Sequence, residues 1–310
     1  MSSKIVKKED FNFEIKNEFD YSFEVGEEGV YLIEIIASAK SWWQNLLKNP
    51  RSFPKDDNLT FKLDGLEFPK LSNKKNIFDG EVAWNGNNLK GLLKTDFLIT
   101  RLKKGKHSLL FLAKNSPFLK SIKIVETEKE NISFVPEINN PPQEGNRRQW
   151  LTLILNNLAL EELKIVASAD KIYFDDEDIK LIIDGRIALN DKTRWHKNWY
   201  WCGRILEGQE KEFSQKLNLP EGIHYIELWA DKTPQIKSLD LKILRSKDNQ
   251  ESSEIIEKIK ELYKEINQTV EFNKIPAPIK IFDKYDKETQ VASDDFGVDF
   301  FVLKATIAQE

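Results

Sequence analysis

The sequence predicts a mainly β protein, with two tandem antiparallel β-sandwiches followed by a short α-helical C-terminal segment. Three observations predict it. One β-patterned module occurs twice, near residues 20–126 and again near 147–245. Within each copy, apolar residues fall on alternate positions and the runs end on turn dipeptides. Only after Asp248 does the apolar period change to three and four.

The duplication is read from residues in register. Trp84-Asn-Gly86-Asn-Asn-Leu89 lies over Trp201-Cys-Gly203-Arg-Ile-Leu206. At the same offset Leu102 falls on Leu219, Gly105 on Gly222, His107 on His224, Ala113 on Ala230, Pro117 on Pro234 and Lys120-Ser121 on Lys237-Ser238. Upstream, with small gaps, Asp64-Gly65 meets Asp184-Gly185 and Ala37-Ser38-Ala39 meets Ala167-Ser168-Ala169. The strands are legible in Leu59-Thr-Phe61-Lys-Leu63, in His107-Ser-Leu109-Leu-Phe111 and in His224-Tyr-Ile226-Glu-Leu228, each bounded by a turn. The expected organisation is module 1 over 1–135, a Pro- and Asn-rich linker over 136–146, and module 2 over 147–247. An amphipathic helix over 251–272 and a terminal segment over 279–310 follow.

Composition narrows the function classes. Charged residues make up 32% of the chain with both signs interspersed, and the net charge of −4 supplies no bulk attraction to nucleic acid. The longest apolar stretch, Val30 to Ala39, contains Glu34 and is too short to span a bilayer, so neither nucleic acid nor membrane insertion is expected. Met1 to Asp10 is polar and reads as no export signal. The single cysteine, Cys202, excludes an intrachain disulfide, no Cys-based zinc site is expected, and the three histidines leave little for metals. No cofactor is expected, and the oligomeric state is left open.

The order of motifs in both copies is an I-x-A-S-A strand, a D-G strand end, a W-x-G element, an L-x-x-G-x-H strand and an A-D/K-x-x-P turn. It resembles the jelly-roll carbohydrate-binding modules that accompany glycan-active enzymes. The resemblance implies jelly-roll-like sandwiches and a glycan partner. Sugars present apolar C–H faces that Trp and Tyr rings cover, with polar groups at the edge. Trp84 and Trp201 recur in both copies and read as core. Trp42 and Trp43 sit in an insertion, Ser41 to Pro50, confined to the first copy, and read as a loop bearing either a ligand platform or a hydrophobic plug. In Trp195-His-Lys-Asn-Trp199-Tyr200-Trp201, an extended chain would put Trp199 and Trp201 on one face and Tyr200 on the other. Trp195, Trp199 and Tyr200 are therefore candidates alongside core and module–module contact. Trp229, on the alternate face of its strand, is a surface candidate. Asp175, Asp176 and Asp178 could supply oxygen ligands to calcium, although a solvated turn reads more simply. His107 and His224 read as structural, bonded near a turn.

The tail changes the question. Ile255, Ile256, Ile259, Leu262, Tyr263, Ile266 and Val270 line one helix face. The run from Tyr285 through Phe296-Gly297-Val298-Asp299 and Leu303-Lys-Ala305 to Glu310 closely resembles the opening of the lysozyme-like domain of soluble lytic transglycosylases. That resemblance implies peptidoglycan as substrate, a cell-wall or extracellular setting, and Glu310 as the general acid and base. In that chemistry the substrate's own hydroxyl attacks, so one glutamate suffices. The competing reading is a non-catalytic structural or interaction protein.

The family's Ser and Gly-Leu-Met-Gln segment do not follow Glu310, and a terminal Glu beside its own α-carboxylate has no pocket to keep it protonated. The chain reads as the N-terminal portion of a longer enzyme. Incubated with purified peptidoglycan, these 310 residues are expected to release no muropeptides, as chromatography of the soluble fraction would reveal.

Overall fold

Alternation sets the outer strands and its loss sets the central ones. The computed structural model describes residues 4–48, 55–69, 83–127, 131–136, 147–173, 175–192 and 195–244. All belong to the unit Met1–Ser246. A second unit, Lys247–Glu310, lies outside the described residues, and with it the expected helix, the expected transglycosylase start and Glu310.

The first copy comprises β1 (Lys4–Glu14), β2 (Glu18–Val25), β3 (Gly29–Ser38), α1 (Trp42–Lys48), β4 (Asn58–Leu63), β5 (Leu66–Glu67) and β6 (Trp84–Asn85), then α2 (Gly86–Leu89), β7 (Leu93–Leu102), β8 (Gly105–Lys114) and β9 (Phe118–Glu126). The second comprises β10 (Asn131–Phe134), β11 (Arg148–Asn156), β12 (Leu160–Ser168), β13 (Asp178–Ile183), β14 (Arg186–Ile187) and β15 (Trp201–Cys202), then α3 (Gly203–Leu206), β16 (Glu210–Leu219), β17 (Ile223–Asp231) and β18 (Gln235–Ile243).

The order β1-β9-β3-β7 recurs as β10-β18-β12-β16, and β2-β8-β4-β5 recurs as β11-β17-β13-β14. Thus β10 holds the place of β1. It pairs with β18 of the second copy, and the expected 136–146 linker, mostly outside the described residues, falls between β10 and β11. Even the irregularities repeat. A bulge at Lys120 on β9, opposite Ile36 and Ala37, recurs at Lys237 on β18, opposite Val166 and Ala167.

The two copies share a sheet. β7 pairs in parallel with β11, from Thr95 opposite Leu151 to Thr100 opposite Asn156, so β1-β9-β3-β7 continues without a break into β11-β17-β13-β14. Side chains alternate across a strand. On β3, Tyr31, Ile33 and Ile35 enter the first copy's core while Val30 and Leu32 enter the second's. On β11, Leu151, Leu153 and Leu155 enter the second core and Ile154 the first. The two sandwiches therefore cover opposite faces, and β11 is buried at every position, as strands covered on both sides are. Tyr225 of β17 is buried in the first core, and its hydroxyl donates to the Pro69 carbonyl at 2.7 Å.

The repeated W-x-G element has a physical reason. Trp84 and Trp201 are fully buried, and their indole Nε1 atoms donate to the carbonyls of Lys94 (3.0 Å) and Lys211 (2.7 Å). Each lysine returns the contact, its ammonium donating to the carbonyl of the residue before the Trp, Ala83 or Tyr200. The glycines must be glycines. A Cβ on Gly86 would stand 2.0 Å from the Lys40 carbonyl oxygen, and one on Gly203 would stand 2.2 Å from that of Asp170.

The D-G turns also match. Asp64-Gly65 and Asp184-Gly185 hold positive φ at both central positions, as a two-residue hairpin turn of the primed kind requires. Each aspartate then binds the histidine of the neighbouring strand, His107 Nδ1 at 2.6 Å and His224 Nδ1 at 2.8 Å. The other ring nitrogens meet the carbonyls of Lys103 and Pro220. These histidines fasten one hairpin to the next.

One feature belongs to the first copy alone. Lys94 and Asp96, both fully buried on β7, form an ion pair at 2.8 Å where the second copy carries Lys211 and Phe213. Burial pushes the Asp96 carboxyl up to about 6 against the pull of Lys94. Removing one partner leaves a buried charge alone. Asp96→Asn is therefore expected to cost about 3–5 kcal/mol in urea unfolding. The paired apolar change Lys94→Met/Asp96→Leu should cost less than the sum of its two single changes.

The His224 pair predicts a pH effect. Its hydrogen bond to Asp184 raises the imidazole above the ordinary 6.5. The stability it contributes is therefore full below about pH 6.5 and lost as pH rises through the raised value. Unfolding curves of the wild type and His224→Gln across that window should converge at the alkaline end.

Candidate functional site

The exposed rings sit where connections leave the sandwiches, and local capping explains how they are held. Ser41 accepts from the Gln44 backbone N–H (3.4 Å), while Gln44 Oε1 accepts from the Ser41 backbone N–H (2.9 Å). This reciprocal S-x-x-Q box starts α1, so the insertion expected as a loop is a short helix. Polar ties hold it down. Gln44 Nε2 donates to the Lys90 carbonyl, Asn45 Nδ2 donates to Lys55 and Asp57, and Lys48 pairs with Glu14. Trp42 and Trp43 are left 47% and 53% exposed, edge to face with centroids 5.4 Å apart.

The equivalent connection of the second copy, between β12 and β13, carries Tyr173 at 90% exposure beside the exposed Ile172. The connection between β14 and β15 carries Trp195 at 89%. Sequence reading did not single out Tyr173. Its signal was positional, since it leaves the A-S-A strand end as Trp42 and Trp43 do.

Trp199 and Tyr200 have other positions. The run is not extended: the Trp199 N–H donates back to the His196 carbonyl and Asn190 Nδ2 donates to the Trp199 carbonyl, and only Trp201–Cys202 is strand. The turn separates Trp199 from Trp201. Trp201 enters the core, whereas Trp199, 7% exposed, lies near the Lys180 ammonium, 4.6 Å from the ring centroid. Tyr200 packs edge-on against Trp201 and Phe213, with the Lys211 ammonium 3.6 Å from its centroid.

Trp229 is half-buried rather than fully at the surface. Its Nε1 donates to Glu227 Oε2 at 3.0 Å, and its ring lies 5.4 Å from Lys180 Nζ. Burial raises Glu227 and lowers Lys180, each toward its neutral form.

The acidic run is dispersed. Asp175 pairs with Lys232 at 3.2 Å, Asp176 Oδ1 accepts from the Ile172 N–H, and Asp178 turns inward, where Oδ1 accepts from the Gly203 N–H at 3.0 Å. Asp178 opens β13, whereas Asp175 and Asp176 lie in the connection before it. Among the described residues the three carboxylates form no shared ligand group. The group that does form joins Asp178 to His196 and Cys202, with ligand atoms all within 4.8 Å of one another. On the face of β3 that also carries Val30 and Leu32, Glu34 and Ile36 join Lys8, Asp10 and Asn12 of β1 and Lys120, Ser121 and Lys123 of β9 around a polar depression.

No family model matches the chain, and no curated protein matches it. Among solved structures, a chain from the atomic structure of Sulfolobus Turreted Icosahedral Virus is similar over 77% of this chain and 59% of its own length, at 10% identity and a TM-score of 0.23. This chain thus spans less than two-thirds of the viral chain's length, and a likeness that loose carries no argument about function.

Proposed function

We propose that this chain is the glycan-binding, targeting region of a protein similar to the soluble lytic transglycosylases, with each copy a jelly-roll-like module and peptidoglycan as the ligand. The observation that carries this reading is the set of exposed rings, Trp42, Trp43, Trp195 and Tyr173, on connections at sandwich ends. Large exposed rings on a pinned support hold apolar area in water, and a sugar's C–H face is a natural cover for it. Polar neighbours for hydroxyl groups stand close, including Asn45, Gln44 and Lys48 on α1. The cell wall would be the site of action, and the catalytic chemistry would rest with the lysozyme-like portion to which Glu310 is assigned by resemblance.

A second reading, a non-catalytic structural or interaction protein, is favoured by two observations. The shared sheet makes a continuous spacer of the two copies, and the T-shaped Trp42–Trp43 pair offers one ring face and one edge rather than a flat platform.

Sedimentation with purified peptidoglycan, together with a glycan array, separates the two. Trp42→Ala/Trp43→Ala and Trp195→Ala are each expected to weaken retention by about tenfold, near 1.4 kcal/mol. The melting temperature should barely move, because none of these rings is core. Absence of retention by the wild type would favour the spacer reading.

A further inference from the structure

The two copies act as each other's control, and one pair of equivalent positions has changed its chemistry. In the first copy, Asn58 faces Asn85 across the β4–β6 pair. Asn85 caps α2, its side chain accepting from the Asn88 N–H at 3.1 Å. In the second copy the same cross-strand positions hold Asp178 and Cys202. Cys202 forgoes the side-chain cap on α3, and both residues are buried. His196, on the connection leading into β15, brings its ring to the same point, with the carboxylate, imidazole and sulfur ligand atoms within 4.8 Å of one another.

We propose that Asp178, His196 and Cys202 form a mononuclear site for a borderline divalent cation, zinc foremost. A neutral pair of amides has become a carboxylate and a thiol, and with the imidazole beside them the three ligand types share one preference. Thiolate, imidazole and carboxylate together suit zinc or cobalt, whereas calcium and magnesium take oxygen ligands. Ligands bound at 2.0–2.3 Å around one tetrahedral ion stand roughly 3–4 Å apart, so the trio needs only a small contraction.

The electrostatics agree with this geometry. Burial pushes the Asp178 carboxyl up to about 7 and the Cys202 thiol up to about 11, although the two share a hydrogen bond and the Gly203, Arg204 and Ile205 N–H groups pull the other way. A divalent cation would favour both anionic forms further. On binding, the thiol proton, and the carboxyl proton where present, pass to solvent. The ion accepts electron pairs from the sulfur, one carboxylate oxygen and one ring nitrogen. Asp178 Oδ1 already holds the Gly203 N–H, a contact that orients the carboxylate. Three protein ligands leave a fourth position for water or an incoming oxygen or nitrogen donor. That arrangement suits an exchangeable ligand better than a closed structural site.

The test is titration of the metal-stripped 310-residue protein with cobalt(II), followed by zinc competition. One cobalt per chain, with a thiolate-to-cobalt charge-transfer absorption that zinc abolishes, is the expected result. Cys202→Asn, which installs the residue of the first copy, should fold and lose that absorption. His196→Ala and Asp178→Asn should each weaken binding by about tenfold or more. A wild type without the charge-transfer absorption would overturn the proposal. So would a Cys202→Asn protein, shown folded by its melting curve, that binds cobalt as tightly as the wild type. Neither result bears on glycan retention, which rests on different residues.

Discussion

The parallel pairing of β7 with β11 is the constraint on which the rest of the structure depends. Each copy on its own would end in a strand with an unpaired row of N–H and C=O groups, and the pairing satisfies both rows at once. Because it joins unlike sheets of the two copies, it puts their cores on opposite faces of one sheet. The joining strands then lie inside the protein on both sides. Their polar residues need partners within the seam: Asp96 has Lys94, and Asn156 Nδ2 donates to Thr100 Oγ1 at 2.9 Å. A slip of one residue would take Asn156 out of register with Thr100, so that cross-strand bond works against misregistration.

Duplication divides the residues by role. Those held in common serve the scaffold: an indole and a lysine that close a corner reciprocally, a glycine beneath a carbonyl, an aspartate turn that binds a histidine. Those that differ mark where the copies diverge. Asp96 replaces an aromatic where the copies meet, α1 raises two indoles at one end, and Asp178 with Cys202 replaces a pair of amides.

Much of this was legible because it is local. Alternation in Leu59 to Leu63, the Asp-Gly turns and the offset from Trp84 to Trp201 mark strands and copies without reference to distant residues. The capping box of Ser41 and Gln44 was equally local, and it starts a helix where the aromatic insertion reads as loop. The turn through His196 to Trp199 was harder to foresee. A dense aromatic run reads as strand until Asn190, nine residues away in sequence from Trp199, binds the Trp199 carbonyl.

The sequence by itself determined the mainly β class, the twofold repetition and the core place of Trp84 and Trp201, since hydrophobic period and turn chemistry act over a few positions. Tertiary structure decided which strands met across the copies, which rings remained in water and which side chains converged. Those outcomes depend on pairings between residues far apart in the chain. The histidine, cysteine and aspartate reach one point only because β13, β15 and the connection before it close together, a proximity that no spacing encodes.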